Sequence, residues 1–262
     1  MRRADSITAF NKDVNLLSGV PQRQATTTFN AALLDATHIV VEYSCLPGDQ
    51  PKRFGNIVSV WENSQLPWGQ PPLTYSPVDK DESTGDMIIT LREGLPSKPP
   101  YVVAYGTSDS GTAYCAAQVV RPQNEPASVV ETTEVSVPFV GNDSLLVNFK
   151  TPQGNRPKDN KNWIGLWIGQ AAPYDQTNQI SKFQVESNNA ADSQAMNGLV
   201  LLFGTYYTLA YAIGPRPEDL AAWVTFKTKD FRFLIWLTNH AKRLIFRNPA
   251  SRNVPGKRKG AP

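Results

Sequence analysis

The chain has 262 residues, of which 40% are hydrophobic and 19% charged, with a formal net charge of +3, two cysteines and two histidines. This length and apolar content suffice for two ordinary cores, and two thiols exclude a disulfide-dense scaffold. The net charge hides a division: from Lys227 onward five Lys and five Arg face one acid, Asp230, a net +9 that leaves −6 on the rest. A mildly acidic body with a basic tail favours an anionic partner at the tail alone.

Residues 1–25 read as a flexible amino-terminal segment. Asp5, Asn11, Lys12 and Asp13 interrupt any apolar run, so no secretory signal is read, and no apolar stretch has the length of a membrane span. The expectation is a cytoplasmic protein, or one exported without a cleaved leader.

From there the chain repeats itself at an offset of 106 positions. Pro51-Lys52 returns as Pro157-Lys158, Asn56 as Asn162, Trp61 as Trp167, Pro67 as Pro173, and the run Tyr101 to Tyr105 as Tyr207 to Tyr211. Residues 26–120 and 132–226 therefore read as two copies of one module, joined by a proline-containing linker at 121–131 whose stiffness restricts the modules' relative orientation.

In chain order, Ile39 to Tyr43 and Leu145 to Phe149 alternate apolar and polar residues, the pattern of half-buried strands. Further strands are predicted at Ile57 to Trp61 with Trp163 to Trp167, and at Met87 to Leu91 with Leu199 to Phe203. Two more pairs follow, Tyr101 to Tyr105 with Tyr207 to Tyr211, and Thr112 to Val120 with Glu218 to Phe226. Proline and glycine clusters separate them, among them Leu46 to Pro51, Leu66 to Pro72 and Pro152 to Pro157. Short strands at this spacing predict an all-β protein, a tandem pair of immunoglobulin-like antiparallel β-sandwiches. Trp61 and Trp167 are placed where such folds commonly bury a core tryptophan, and the paired tyrosines are expected to face the core and hydrogen-bond at its edge.

Asn162-Trp-Ile-Gly-Leu-Trp167, followed by Tyr174, resembles a strand of SKICH-type and related immunoglobulin-like or fibronectin-like modules, although Asn56 to Trp61 lacks the inner Trp and Gly. The resemblance covers one strand and its flanks. It implies an interaction domain rather than an enzyme.

Cys45 and Cys115 lie in the first copy, where the second has Thr151 and Ala221. Their joint loss suggests that they touch, as a disulfide or as buried reduced thiols, the second being expected without a leader. No zinc, redox or serine-nucleophile spacing occurs. Gly106 to Gly111 reads as a hairpin turn and His38 as a solvated strand-edge residue. Asp79 to Asp86 carries four carboxylates but lacks calcium-loop spacing, with Thr84 and Thr90 where Gly and Glu are required. No catalytic residue, cofactor, metal or nucleic-acid motif is assigned.

Candidate contacts for a protein or glycan partner are the loop aromatics Trp68 and Tyr174, with Lys52, Arg53, Arg156 and Lys158 beside them. Residues 227–262 form a basic amphipathic helix or disordered tail, in which Arg232, Trp236, Lys242, Arg243 and Arg247 are candidate contacts for an anionic membrane surface. The sequence thus predicts a non-enzymatic recognition protein. Its alternative is a membrane-active or secreted effector acting through the tail.

Overall fold

The computed structural model describes residues 23–91, 100–121, 129–170, 174 and 176–229. Among them the first series of elements is β1 (Arg23–Thr26), β2 (Thr28–Leu33), β3 (His38–Ser44) and the single-turn helix α1 (Pro51–Phe54). It continues with β4 (Ile57–Glu62), β5 (Thr74–Pro77), β6 (Thr84–Thr90), β7 (Tyr101–Gly106) and β8 (Tyr114–Val120). The second series is β9 (Glu131–Thr132), β10 (Glu134–Val140), β11 (Ser144–Lys150), β12 (Trp163–Ile168), β13 (Gln179–Gln184), β14 (Ala191–Asn197), β15 (Tyr206–Ala212) and β16 (Leu220–Lys227).

These strands form two antiparallel β-sandwiches. In the first, sheet β2-β3-β6 packs on sheet β5-β4-β7-β8-β9; in the second, β10-β11-β14 packs on β1-β16-β15-β12-β13. Alternation decides which side chains enter the core. Ile39, Val41 and Tyr43 of β3 are buried opposite Val58 and Val60 of β4, and Leu145, Val147 and Phe149 of β11 opposite Ile164 and Leu166 of β12. Tyr101, Tyr105, Tyr207 and Tyr211 all face this core, as their spacing predicts.

Two expectations need correcting. Trp61 and Trp167 are buried, but on the outer faces of the five-stranded sheets rather than inside the sandwiches, because their strand parity puts Val60 and Leu166 inward instead. Leu199 to Phe203 is not a strand. The strand is β14, which pairs with β11 over seven successive positions and buries only Met196, while the apolar run that follows forms a loop. Its counterpart β6 pairs with β3 in the same way, so backbone pairing with the central strand outweighs local hydrophobicity.

The first strand of each series crosses over. β1 pairs with β16 of the second sandwich, Thr26 opposite Ala222, and β9 pairs with β8 of the first, Thr132 opposite Ala116. These two pairings are the same pairing 106 residues apart, each made with the other copy. The crossing continues one residue further, where the Thr27 amide donates to the Ala221 carbonyl at 3.2 Å and the Thr133 amide to the Cys115 carbonyl at 2.9 Å. At the crossing point the Thr26 hydroxyl donates to the Thr133 carbonyl, so the two segments also bond to each other. Each chain segment then turns at a buried threonine into β2 or β10 of its own sandwich.

Reciprocal exchange makes each sandwich incomplete without the other, so the two are expected to unfold in one cooperative transition. Thr27→Pro and Thr133→Pro each remove a buried donor and leave a carbonyl unpaired, a loss of about 2 kcal/mol. Urea unfolding followed by tryptophan fluorescence and circular dichroism checks both points: each variant should lower the midpoint for the whole transition rather than for one sandwich.

Candidate functional site at the junction of the two sandwiches

The five-stranded sheets are apolar on both faces, and their outer faces need cover. In the first sandwich Ile57, Trp61, Val102, Ala104, Tyr114 and Ala117 form that face, covered by Leu66 and Trp68 from the loop after β4. In the second it is Trp163, Trp167, Ala210, Ala212 and Leu220, joined by Tyr174 and by Leu46 of the first sandwich. The Trp-Ile-Gly-Leu-Trp run acquires a physical meaning here. Residues 163, 165 and 167 share the outer face, and a Cβ at Gly165 would lie 2.3 Å from the Trp167 ring, so glycine makes room for both indoles.

The two loop aromatics sit in this cover, and each reaches the opposite sandwich. The Trp68 indole donates to the Gln153 carbonyl at 2.8 Å and packs edge-on against Tyr114 at 6.0 Å. Gly154, with φ 84°, lies so close that a Cβ there would be 3.0 Å from Trp68 Cδ1. Tyr174 packs against Phe54 with the rings tilted and their centroids 5.3 Å apart, and its buried hydroxyl has no hydrogen-bond partner. Burial raises the Tyr174 pKa well above the phenol range, and the nearby Asp49 adds to the effect. Sequence reasoning offers these rings to a partner; in the structure both pack between the sandwiches.

A third link has no counterpart in the other copy. Asp219 is fully buried and accepts from Arg216 Nε at 3.0 Å and from the Arg216 amide at 2.8 Å. The guanidinium then crosses the junction, donating to the carbonyls of Thr107 at 2.7 Å and Phe54 at 3.0 Å. Thr107 Oγ1 closes the ring by donating to Asp219 at 3.3 Å. Burial raises the Asp219 pKa, with Arg216 opposing. At the repeat offset the first copy has Ser110 and Ala113.

The four basic candidates lie on exposed loop surface beside this junction. Lys52 and Arg53 belong to α1, where the Arg53 amide is capped by Asp81 at 2.8 Å and its guanidinium donates to Gln50 at 3.0 Å. Arg156 pairs with Asp159 at 2.8 Å, and Lys158 is held through its backbone to Ser187 at 3.0 Å. Ion pairs this exposed contribute little to stability. Arg232, Trp236, Lys242, Arg243 and Arg247 lie outside the described residues.

Behind the junction each sandwich holds a buried polar network at matching positions. In the second, Asn155 donates to Thr151 at 3.1 Å and to Asn162 at 2.9 Å, and Tyr211 donates to Asn162 at 3.0 Å. In the first, Asn56 donates to Asp49 and to the Tyr105 hydroxyl, both at 3.1 Å, and the Cys45 thiol meets the same hydroxyl at 2.9 Å. Asp49 thus stands where the second copy has a neutral Asn155, and one oxygen each of Asp49 and Asn56 is left without a partner. Burial pushes the Asp49 pKa up to about 6, opposed by the donors Cys45 and Asn56. Both cysteines are free and buried, and burial pushes the Cys115 thiol up to about 12. Neither thiol is a nucleophile in this state.

One groove opens onto solvent at the junction, with a cavity volume of about 390 Å³. Its floor is Leu66, Val102 and Ala117, from the outer face of the first sandwich. Ser64, Gln65, Glu131 and Gln153 bring polar groups around it, Glu131 from the exchanged strand β9 and Gln153 from the second sandwich. Glu131 accepts from the Gln153 amide at 2.7 Å, which fixes that wall. Among the described residues no cluster of three or more His, Cys, Asp or Glu side chains is positioned to hold a metal.

No family model and no curated protein matches the chain. Among solved structures it is similar to the FN1–FN3 domains of chicken CNTN1, at 14% identity and a TM-score of 0.27, covering 80% of this chain and 66% of that one. It is also similar to the BSP domain of a biofilm associated protein, at 13% identity and a TM-score of 0.24, covering 79% of this chain and 30% of that one. The chain spans no more than about two thirds of either.

The Asp49 network sets a pH dependence of definite sign. The folded-state pKa of about 6 lies above the ordinary 3.8, so the Asp49 contribution is fully present below the lower value and lost as pH rises through the upper one. Asp49→Asn should therefore stabilise the protein near neutrality by about 2 kcal/mol, since the new amide can donate to the unpartnered Asn56 oxygen as Asn155 does to Asn162. Urea titrations of both proteins across the acid range should show the gap between them closing as pH falls.

Proposed function

We propose that the chain is a non-enzymatic recognition protein whose two sandwiches act as one rigid body and bind a protein or glycan in the groove at their junction. The supporting observation is the composition of that groove. A small apolar floor surrounded by a hydroxyl, two amides and a carboxylate suits a partner that presents an apolar surface together with hydrogen-bonding groups. Its walls come from both sandwiches and from the exchanged strand, so the binding surface exists only in the assembled pair.

Preorganisation supports the same reading. Arg216, Trp68 and Tyr174 fix the junction before any partner arrives, which reduces the ordering cost of binding. The buried carboxylates and thiols that might suggest chemistry are committed to internal networks. The SKICH-type resemblance of Asn162 to Trp167 favours the same class of role, and the basic loops at Lys52, Arg53, Arg156 and Lys158 supply an outer rim for an anionic part of the partner.

The test compares the full chain with Ser64→Arg/Gln65→Arg, which fills the groove from its exposed edge, on a glycan array and by capture from the native source. A genuine partner should be retained by the wild type and weakened at least about tenfold in the variant, with the unfolding midpoint unchanged. A partner bound equally by both contradicts the groove as the site.

A further inference from the structure

The ladder between β3 and β6 is closed at both ends by hydrogen-bonded pairs. The Cys45 amide donates to the Ser83 carbonyl at 2.6 Å, and the Leu91 amide to the Thr37 carbonyl at 2.8 Å. The register between them is unbroken, and bonded and non-bonded positions alternate in an antiparallel ladder, so these two pairs fix the parity of the whole strand. Gly85, Met87 and Ile89 bond to β3, whereas Thr84, Asp86, Ile88 and Thr90 turn their amides and carbonyls to the open side. β6 pairs with no other strand, and those outward groups have no partner among the described residues. All four side chains are exposed, Ile88 by 56%.

Other edges of the fold are blunted. β10 is broken by a bulge between Ser136 and Phe139, β5 carries Pro77, and the Ala31 amide of β2 is taken by Gln118 at 2.7 Å. The strand equivalent to β6 in the second sandwich, β14, is closed by its own side chains. Asp192 accepts from the Ser193 amide at 2.8 Å and from Asn189 at 3.0 Å, and Gln194 donates to the Gln184 carbonyl at 2.8 Å and accepts from the Glu186 amide at 3.1 Å. The flanking residues 184–189 are thereby tied to β14. Asp192 lies opposite Phe149 as Gly85 lies opposite Tyr43, so Gly85 and Met87 hold the places of Asp192 and Gln194. A Cβ at Gly85 would lie 2.6 Å from the Tyr43 hydroxyl, and neither residue brings a carboxylate or an amide side chain to the edge.

Charge specifies what kind of strand fits. Glu42 lies opposite Asp86 in a non-hydrogen-bonded pair, the arrangement that brings side chains closest, and like charges so placed repel. Both are exposed, and neither carboxylate has a cationic partner among the described residues. Burial and the neighbouring Cys45 raise the Tyr43 pKa, and Asp79, Glu82 and Asp86 add to the effect, so three carboxylates gather at this end of β6. Ile88 stands in a different row, with Val40 and Ala32 beside it. The edge thus offers an apolar position and, two residues away on the same face, an anionic one, with a threonine at either side.

We propose that β6 is a docking edge for an extended, basic segment of a partner protein. That segment adds as an antiparallel strand, with an apolar residue beside Ile88 and a lysine or arginine two residues further along it beside Asp86. Its backbone satisfies the outward amides and carbonyls, and its cation relieves the Glu42–Asp86 repulsion. A second copy of β6 would bring its own acids to the seam, so charge favours a basic partner over self-pairing. The edge shares no residue with the groove and does not depend on it.

The experiment titrates the full chain with a blocked synthetic peptide, Thr-Thr-Val-Thr-Lys-Thr-Thr, by fluorescence anisotropy and amide chemical shifts. Binding should shift the amides of Thr84, Asp86, Ile88 and Thr90. N-methylation of the valine or lysine amide, which would face β6, should weaken binding about tenfold or more, and N-methylation of the threonine between them should not. Glutamate in place of the lysine should weaken it as much, and Asp86→Lys in the protein should reverse that preference without touching the backbone. Ile88→Pro removes one outward donor and should weaken the peptide with an unchanged unfolding midpoint. A peptide that does not bind, or binding indifferent to which amide is methylated or to the charge at residue 86, overturns the proposal. So does a dimer of the free chain, seen in sedimentation, that Ile88→Pro dissolves, since a second copy would then own the edge.

Discussion

Everything in this molecule depends on where the segments around Thr26 and Thr132 go. Each begins in one sandwich and ends in the other, and each presents a backbone amide that only the opposite copy's last strand can satisfy. Buried backbone groups must be paired, so this constraint is strict. Once the segments cross, the two five-stranded sheets are brought together and their apolar outer faces can be covered by each other's loops. Leu46, Trp68, Tyr174 and Arg216 then act as secondary links that a pair of independent sandwiches would not possess.

The arrangement explains which positions the two copies share and which they do not. Shared positions build the framework: the core tyrosines, Asn56 with Asn162, and the crossing threonines. Unshared positions specialise the junction. Trp163 and Gly165 broaden the apolar face of the second sandwich, and Tyr114 with Ser59 takes a similar place in the first through a hydroxyl bond of 3.3 Å. Arg216 and Asp219 exist in the second copy alone, and Asp49 replaces an asparagine in the first. A buried carboxylate with an unpartnered oxygen is a cost to folding that the neutral equivalent avoids. It lies near enough to Tyr174 to help raise the phenol's pKa, and burial holds its own pKa up at about 6.

Much of the framework was legible in the sequence, because alternation of apolar residues is imposed by a sheet with one face in a core. That logic located β3, β4, β7, β8 and their counterparts. It failed at Leu199 to Phe203, where an apolar run is a loop and the strand before it, β14, buries only Met196. It also misjudged the face of Trp61 and Trp167, since a sheet buried on both sides gives no parity signal for its tryptophans. The exchange itself was invisible. A repeat states that a Thr26-like segment pairs with an Ala222-like strand, but both copies supply both halves, and the sequence cannot say which half meets which. The groove was equally hidden, being assembled from Leu66, Ala117, Glu131 and Gln153, none of which carries a motif.

The most direct measurement of the central claim is native-state amide hydrogen exchange at Thr27 and Thr133. Crossed segments require both amides to be protected as strongly as the core strands β7 and β15, and to open together with the global transition. Exchange at rates typical of exposed loops, or opening of one amide without the other, would show that the sandwiches are not locked by mutual exchange.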